Sequence, residues 1–157
     1  MKYLLLLAFL LPFVLSAQKV TKETEPITGQ HWWVTNEANL GRIGLSPLYA
    51  YFRSAPQGTL LYLNPTATAI GSADMAVILT AADTVVARST GMQIATEMTY
   101  WKEYRITRSD LEKLAKSPVL KVVFTYAYGT QAATVPEKDQ PDLMLWAKAF
   151  LQEVGGE

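Results

Sequence analysis

The sequence predicts an α+β fold, an antiparallel twisted sheet of about seven strands with a short helix and a long C-terminal helix packed on one face. Three observations carry this expectation. Short β-type runs bounded by turn residues recur through the middle of the chain, and two capped stripes with helical spacing follow late in it. The composition is that of one globular domain: of 157 residues, 50% are hydrophobic and 18% charged, which sets aside disordered, collagen-like and cysteine-stapled chains.

The N-terminus is read first. Met1-Lys2 supplies one positive charge, Tyr3 to Leu15 is apolar apart from Pro12, and Ser16-Ala17 precede polar Gln18-Lys19. This is the charged, apolar, small-residue order of a secretory signal, so residues 1–17 are expected to be removed after Ala17 and the protein to be exported, to the periplasm or beyond. The apolar run of 13 residues is shorter than the roughly 20 that a membrane-spanning helix needs, and no later segment could span a membrane. Residues 18–30, polar and broken by Pro26 and Gly29, read as a flexible lead-in to a single α+β domain over 31–157.

Within that domain Trp32-Trp33-Val34 forms the first short strand. Leu48 to Arg53 and Thr59 to Leu63 flank the turn-like Ser54-Ala55-Pro56-Gln57-Gly58, which predicts a hairpin closed by Asn64-Pro65. Met75 to Thr80 and Thr84 to Ser89, joined by Ala81-Ala82-Asp83, predict a second hairpin. Alternation is clearest over Glu97 to Thr107, where Met98, Tyr100, Lys102, Tyr104 and Ile106 share a core face and Trp101 lies on an opposite, wet face with Thr99, Glu103 and Arg105. Ser109, with Glu112 three residues on, predicts the cap of a short helix with its stripe at Leu111, Leu114 and Ala115, stopped by Ser117-Pro118. Val119 to Tyr126 returns as the seventh strand, and Gly129 to Val135 reads as a loop. Asp139 then caps the long helix, Pro141 suits its first turn, and Leu143, Trp146, Ala147, Phe150 and Val154 form its buried stripe before Gly155-Gly156.

Charge and motifs narrow the chemistry. The chain carries 14 basic and 14 acidic residues with no basic run, so nucleic acid is not an expected partner. It has no cysteine, and therefore no disulfide, thiolate metal site or Cys nucleophile. The single histidine, His31, stands beside two tryptophans and is read as a packing or surface residue, and one histidine leaves a transition-metal site short of ligands. No cofactor, metal or catalytic residue is assigned. Gly41-Arg42-Ile43-Gly44 lacks the spacing of a phosphate loop and is read as turns or a bulge. A carboxylate pair for hydrolysis would have to come from Asp74, Asp83, Glu97 and Glu103, which the sequence alone does not bring together.

Aromatic residues are the remaining signal. Eleven of them lie on or beside the expected strands, and Trp33, Tyr51 and Trp101 are the candidate ligand-binding residues, able to stack a sugar or a peptide group if they face solvent. The alternative for these rings is the core beneath the C-terminal helix.

The stretch Tyr104-Arg105-Ile106-Thr107-Arg108-Ser109-Asp110-Leu111-Glu112-Lys113-Leu114-Ala115-Lys116-Ser117-Pro118-Val119, continuing to Phe124, resembles the strand, short helix, strand ending of small uncharacterised exported proteins of the Bacteroidota. In that group a terminal helix often follows, as Asp142 to Val154 does here. The resemblance covers the leader and the last third of the chain; it implies export and carries over no catalytic residue. The leading expectation is a non-enzymatic exported domain acting through a sheet face or strand edge on a protein, peptide or envelope partner. A glycan or small-ligand binding module that uses the sheet aromatics is the second, and a carboxylate hydrolase the third.

Overall fold

The computed structural model describes residues 20–24, 26–56, 58–64, 73–95, 100–127 and 129–155. Residues 1–17, expected from the sequence to be a removable leader, lie outside them, as do Glu97 to Thr99 and Tyr128. Ten strands form one antiparallel sheet among the described residues: β1 (Val20–Thr24), β2 (His31–Thr35), β3 (Ala38–Ile43), β4 (Ser46–Ala55), β5 (Gly58–Leu63), β6 (Met75–Thr80), β7 (Thr84–Ala95), β8 (Tyr100–Ile106), β9 (Val119–Tyr126) and β10 (Gly129–Thr134). Two α-helices accompany them, α1 (Arg108–Leu114) between β8 and β9, and α2 (Gln140–Val154) at the C-terminus.

The sheet order is β1-β2-β4-β5-β8-β7-β6-β9-β10, with β3 paired to β4. Both predicted hairpins form: β4 pairs with β5 from Ala50↔Leu63 to Ala55↔Gly58, and β6 with β7 from Met75↔Arg88 to Leu79↔Thr84. The sheet rolls until β10 meets β3, yet the two do not pair. At that seam Gly41 (φ +91°) approaches so closely that an added Cβ would stand 2.6 Å from the Thr134 carbonyl oxygen. The β3–β4 register breaks between Asn39 and Arg42, so the glycine-flanked segment is a bulge, as its composition suggested.

The expectation of about seven strands is corrected to ten by three segments that lack apolar alternation. β1 (VTKET) comes from the supposed lead-in and is an edge strand with exposed charges. β3 is interrupted by Gly41, and β10 (GTQAAT), expected to be a loop, contributes only Ala133 to the core. Backbone pairing to neighbours that are themselves well specified holds such strands without strong side chains of their own.

Helix starts differ in detail. α1 begins earlier than Ser109: Thr107 is its N-cap and Asp110 the reciprocal partner, the Thr107 hydroxyl accepting from the Asp110 amide at 3.1 Å and Asp110 Oδ2 accepting from the Thr107 amide at 3.1 Å. Asp139 precedes α2 but does not cap it through its side chain, because a 3₁₀ turn over Glu137–Asp139 already holds it in helical conformation. Its carboxylate instead accepts a hydrogen bond from Asn39 Nδ2 at 3.2 Å, joining the helix start to β3.

The inner face of the sheet is the core. Phe52, Leu61, Leu63, Ile78, Tyr104, Val122 and Phe124 point into it, and α2 lies across it through Leu143, Ala147 and Phe150. Phe150 meets Phe52 with ring centroids 5.9 Å apart. The predicted packing of the long helix on one face is therefore the arrangement observed. Lys102, on the same face of β8 as Tyr104, is buried with it, and desolvation lowers its pKa against the opposing pull of Asp74.

Candidate functional site

The outer face of the sheet carries a second, smaller apolar cluster. Leu60 and Tyr62 of β5 and Trp101 of β8 are buried there, with Tyr49 and Tyr51 of β4 and Ile94 of β7 against them. Strand alternation explains the grouping: Tyr51 is paired with Tyr62 on the adjacent strand, and Ile94 with Trp101. The Tyr51 and Tyr62 rings stack at 4.6 Å with 4° between planes, and Trp101 meets Tyr51 edge-on at 4.8 Å.

The wet face expected for β8 is corrected by this cluster. Trp101 is only 8% exposed and Glu103 only 5%. Side chains of β4, β5 and β7 enclose Trp101 and Glu103 on the outer face, so β8 is buried on both sides there, and among its described outer-face residues only Arg105 is exposed.

Glu103 is satisfied from two directions. The Tyr62 hydroxyl donates to Oε2 at 2.5 Å and the Thr90 hydroxyl donates to Oε1 at 2.7 Å. Thr90 reaches it because β7 bulges: Ser89 pairs with Tyr104 and Gln93 with Lys102, so Thr90, Gly91 and Met92 stand opposite Glu103 alone. Gly91, at φ +84°, permits that turn of the chain. Burial, reinforced by the hydrogen bond to Glu103, raises the Tyr62 pKa.

Beside the cluster opens a cleft of about 630 Å³. Tyr51 and Trp101 line it together with Glu23, Asn36, Glu37 and Arg53. Burial pushes the Tyr51 hydroxyl up to about 12, with Arg53 opposing and Glu37, Glu23 and Glu103 adding to the shift. The Arg53 guanidinium also lies 4.0 Å from the centre of the Trp32 ring, which fixes it over that indole. The cleft thus joins aromatic carbon to carboxylates, an amide and a guanidinium.

Of the three candidate residues, the structure brings Tyr51 and Trp101 together and places Trp33 elsewhere. Trp33 packs against the inner core, with Lys22 Nζ 5.3 Å from its ring centre, and borders a separate depression with His31 and Val154. Its neighbour Trp32 is the β2 indole engaged by Arg53 of the cleft. Sequence reading did not single out Trp32, Arg53, Glu23, Asn36 or Glu37, and the alternation of β2 against β4 was the one available signal. His31 is exposed, its Nδ1 2.8 Å from the Thr24 hydroxyl across the β1–β2 pair.

The described acids among those considered for hydrolysis do not converge. Glu103 is buried under the outer cluster, Asp74 is close enough to Lys102 and Tyr104 on the inner side to act on their titration, and Asp83 sits in the β6–β7 turn, while Glu97 lies outside the described residues. Among the described residues no group of three or more His, Asp or Glu side chains could hold a metal, and no helix is long and apolar enough to cross a membrane. Comparison with protein-family models, curated proteins and solved structures found no match to this chain.

Proposed function

We propose that the protein is an exported, non-enzymatic binding domain that takes a saccharide in the cleft beside Tyr51. The observation that carries this reading is the aromatic corner of Tyr51 and Trp101, backed by the Tyr62–Glu103–Thr90 hydrogen bonds and opening onto Asn36, Glu37, Glu23 and Arg53. A sugar ring presents both a C–H face, which aromatic carbon accommodates, and hydroxyls, which carboxylate, amide and guanidinium groups hydrogen-bond. Export is supported by the charged, apolar, small-residue order of residues 1–17. A protein or peptide partner added along the sheet is a second reading, favoured by the position of β1 at the edge, with β2 as its strand partner.

The test is calorimetric titration of the purified protein with cellohexaose, chitohexaose and an acidic hexasaccharide, repeated on Tyr51→Ala. Binding of at least one probe, reduced by roughly tenfold or more in the variant, is the expected result. No binding across the panel, or binding that survives Tyr51→Ala unchanged, rejects the saccharide reading.

A further inference from the structure

The aromatic cluster occupies the outer face over β4, β5 and β8, whereas both α-helices pack on the inner side. Over β7, β6, β9 and β10 the strand registers set out three rows on the outer face. Val86, Val77, Val123 and Ala132 stand side by side in the middle row. Arg105, Arg88 and Met75 stand in the row on one side of it, and Leu79 and Lys121 in the row on the other. Met75, Val77, Leu79, Val86 and Val123 pack into neither apolar cluster, although Ile78, Val85, Val122 and Phe124, which alternate with them, are fully buried. Val86 is 42% exposed. An apolar sheet face is ordinarily buried against a second layer, and among the described residues this one has none.

Charge on these rows has one sign. Arg88 and Arg105 are directly opposite in the β7–β8 register, and both are exposed, as is Lys121. None of the three forms an ion pair among the described residues, and no acidic residue stands in the three rows. Of the acids nearby, Glu103 is held by Tyr62 and Thr90, Asp74 acts on Lys102 and Tyr104 of the inner side, and Asp83 lies in the β6–β7 turn. Like charges directly opposite on neighbouring strands are destabilising. The chain as a whole is balanced, with 14 basic and 14 acidic residues, so the excess belongs to this face.

We infer that this face docks an acidic amphipathic helix of a partner protein. Its apolar stripe crosses the valine row, and its carboxylates meet Arg88 and Arg105 on one flank and Lys121 on the other. The two charged rows lie about 14 Å apart along the strands, which brackets a helix of about 10–12 Å with its side chains. Carboxylates at the guanidinium pair remove its repulsion and accept from its forked donors. A second copy of the face would set cations against cations, and residues 1–19 of this chain hold two lysines and no acid, so neither complements it. A bilayer fits less well, because the middle row offers only valine and alanine and no aromatic or long apolar side chain to insert between headgroups. The face shares no residue with the Tyr51 cleft and does not depend on the saccharide reading.

The probe is a fluorescein-labelled peptide of about 14 residues, stapled so that it is helical in solution, with a leucine stripe and glutamates on both flanks. Fluorescence anisotropy follows its titration with the purified protein. The controls are the same peptide with lysine for glutamate, the same peptide with serine for leucine, and vesicles of phosphatidylcholine and phosphatidylglycerol in a sedimentation assay. The Leu/Glu peptide binds, and both control peptides are weaker by about tenfold or more. The double variant Arg88→Gln, Arg105→Gln weakens the Leu/Glu peptide by about tenfold, as does Val86→Glu, with thermal unfolding unchanged, and Tyr51→Ala has no effect. Equal binding of the lysine peptide reduces the face to an apolar contact and overturns the inference. Equal binding of the serine peptide reduces it to bare charge attraction and overturns it too. Vesicle binding that the double variant abolishes assigns the face to a lipid surface instead, and absence of binding by the Leu/Glu peptide rejects the inference outright.

Discussion

At the residue scale the outer face depends on one carboxylate. Glu103 is buried on the side of the sheet opposite the core, and it is kept there by hydroxyl donors from a neighbouring strand and from a bulge. Removing one donor leaves part of that carboxylate without a partner away from water, so Tyr62→Phe should destabilise the protein by about 1.5–3 kcal/mol. Urea unfolding monitored by circular dichroism measures this, and a change near zero would show that water already satisfies Glu103. Thr90→Val removes the other donor and should act in the same direction. The neighbouring indoles show how far residue-level reading reaches. Trp32 and Trp33 must face opposite sides of β2 by alternation, but which of them faces outward is set by the pairing of Val34 with Arg53, a contact between segments distant in sequence.

At the scale of elements the helices and the strongly apolar strands were the legible part. Val119–Tyr126 runs over the residues its composition indicates, and the stripe on α2 meets the sheet through Leu143, Ala147 and Phe150. Phe150 is fully buried against Phe52, so Phe150→Ala should cost about 3–5 kcal/mol, read from the shift in the denaturant midpoint. A cost below about 1 kcal/mol would mean that α2 is not a structural part of the core. β1, β3 and β10 escaped because a strand at an edge or a seam needs little apolar surface. Its place is secured by backbone hydrogen bonds to a partner strand, which no local pattern records. The same reason hides the seam itself, where Gly41 admits the Thr134 carbonyl and Asn39 holds Asp139.

At the scale of the whole molecule, three phenols bear on alkaline stability, Tyr62 and Tyr104 buried and Tyr51 half-buried. Tyr51 is pushed up to about 12, and burial also raises Tyr62 and Tyr104. In the unfolded chain these groups ionise near pH 10. Between about pH 10 and 12 the unfolded state therefore releases protons that the folded state retains, and stability, undiminished by these groups below pH 10, falls as pH rises through that window. Urea midpoints measured from pH 8 to 12 should decline only above about 10, and Tyr51→Phe should decline less steeply than the wild type. A flat profile to pH 12 would show that the phenols ionise alike in both states.

Composition, periodicity and capping signals were enough for the α+β class, for the antiparallel hairpins and for a long helix on one sheet face, because each of these follows from contacts close in sequence or from the burial of an apolar stripe. The rolling of ten strands, the pairing of Tyr51 with Tyr62 and Trp101 on the outer face, and the opposition of Arg88 and Arg105 came only with the tertiary structure. Each joins segments far apart in the chain, and the register that decides it is a property of two strands together, since a slip of one residue turns every side chain to the other face.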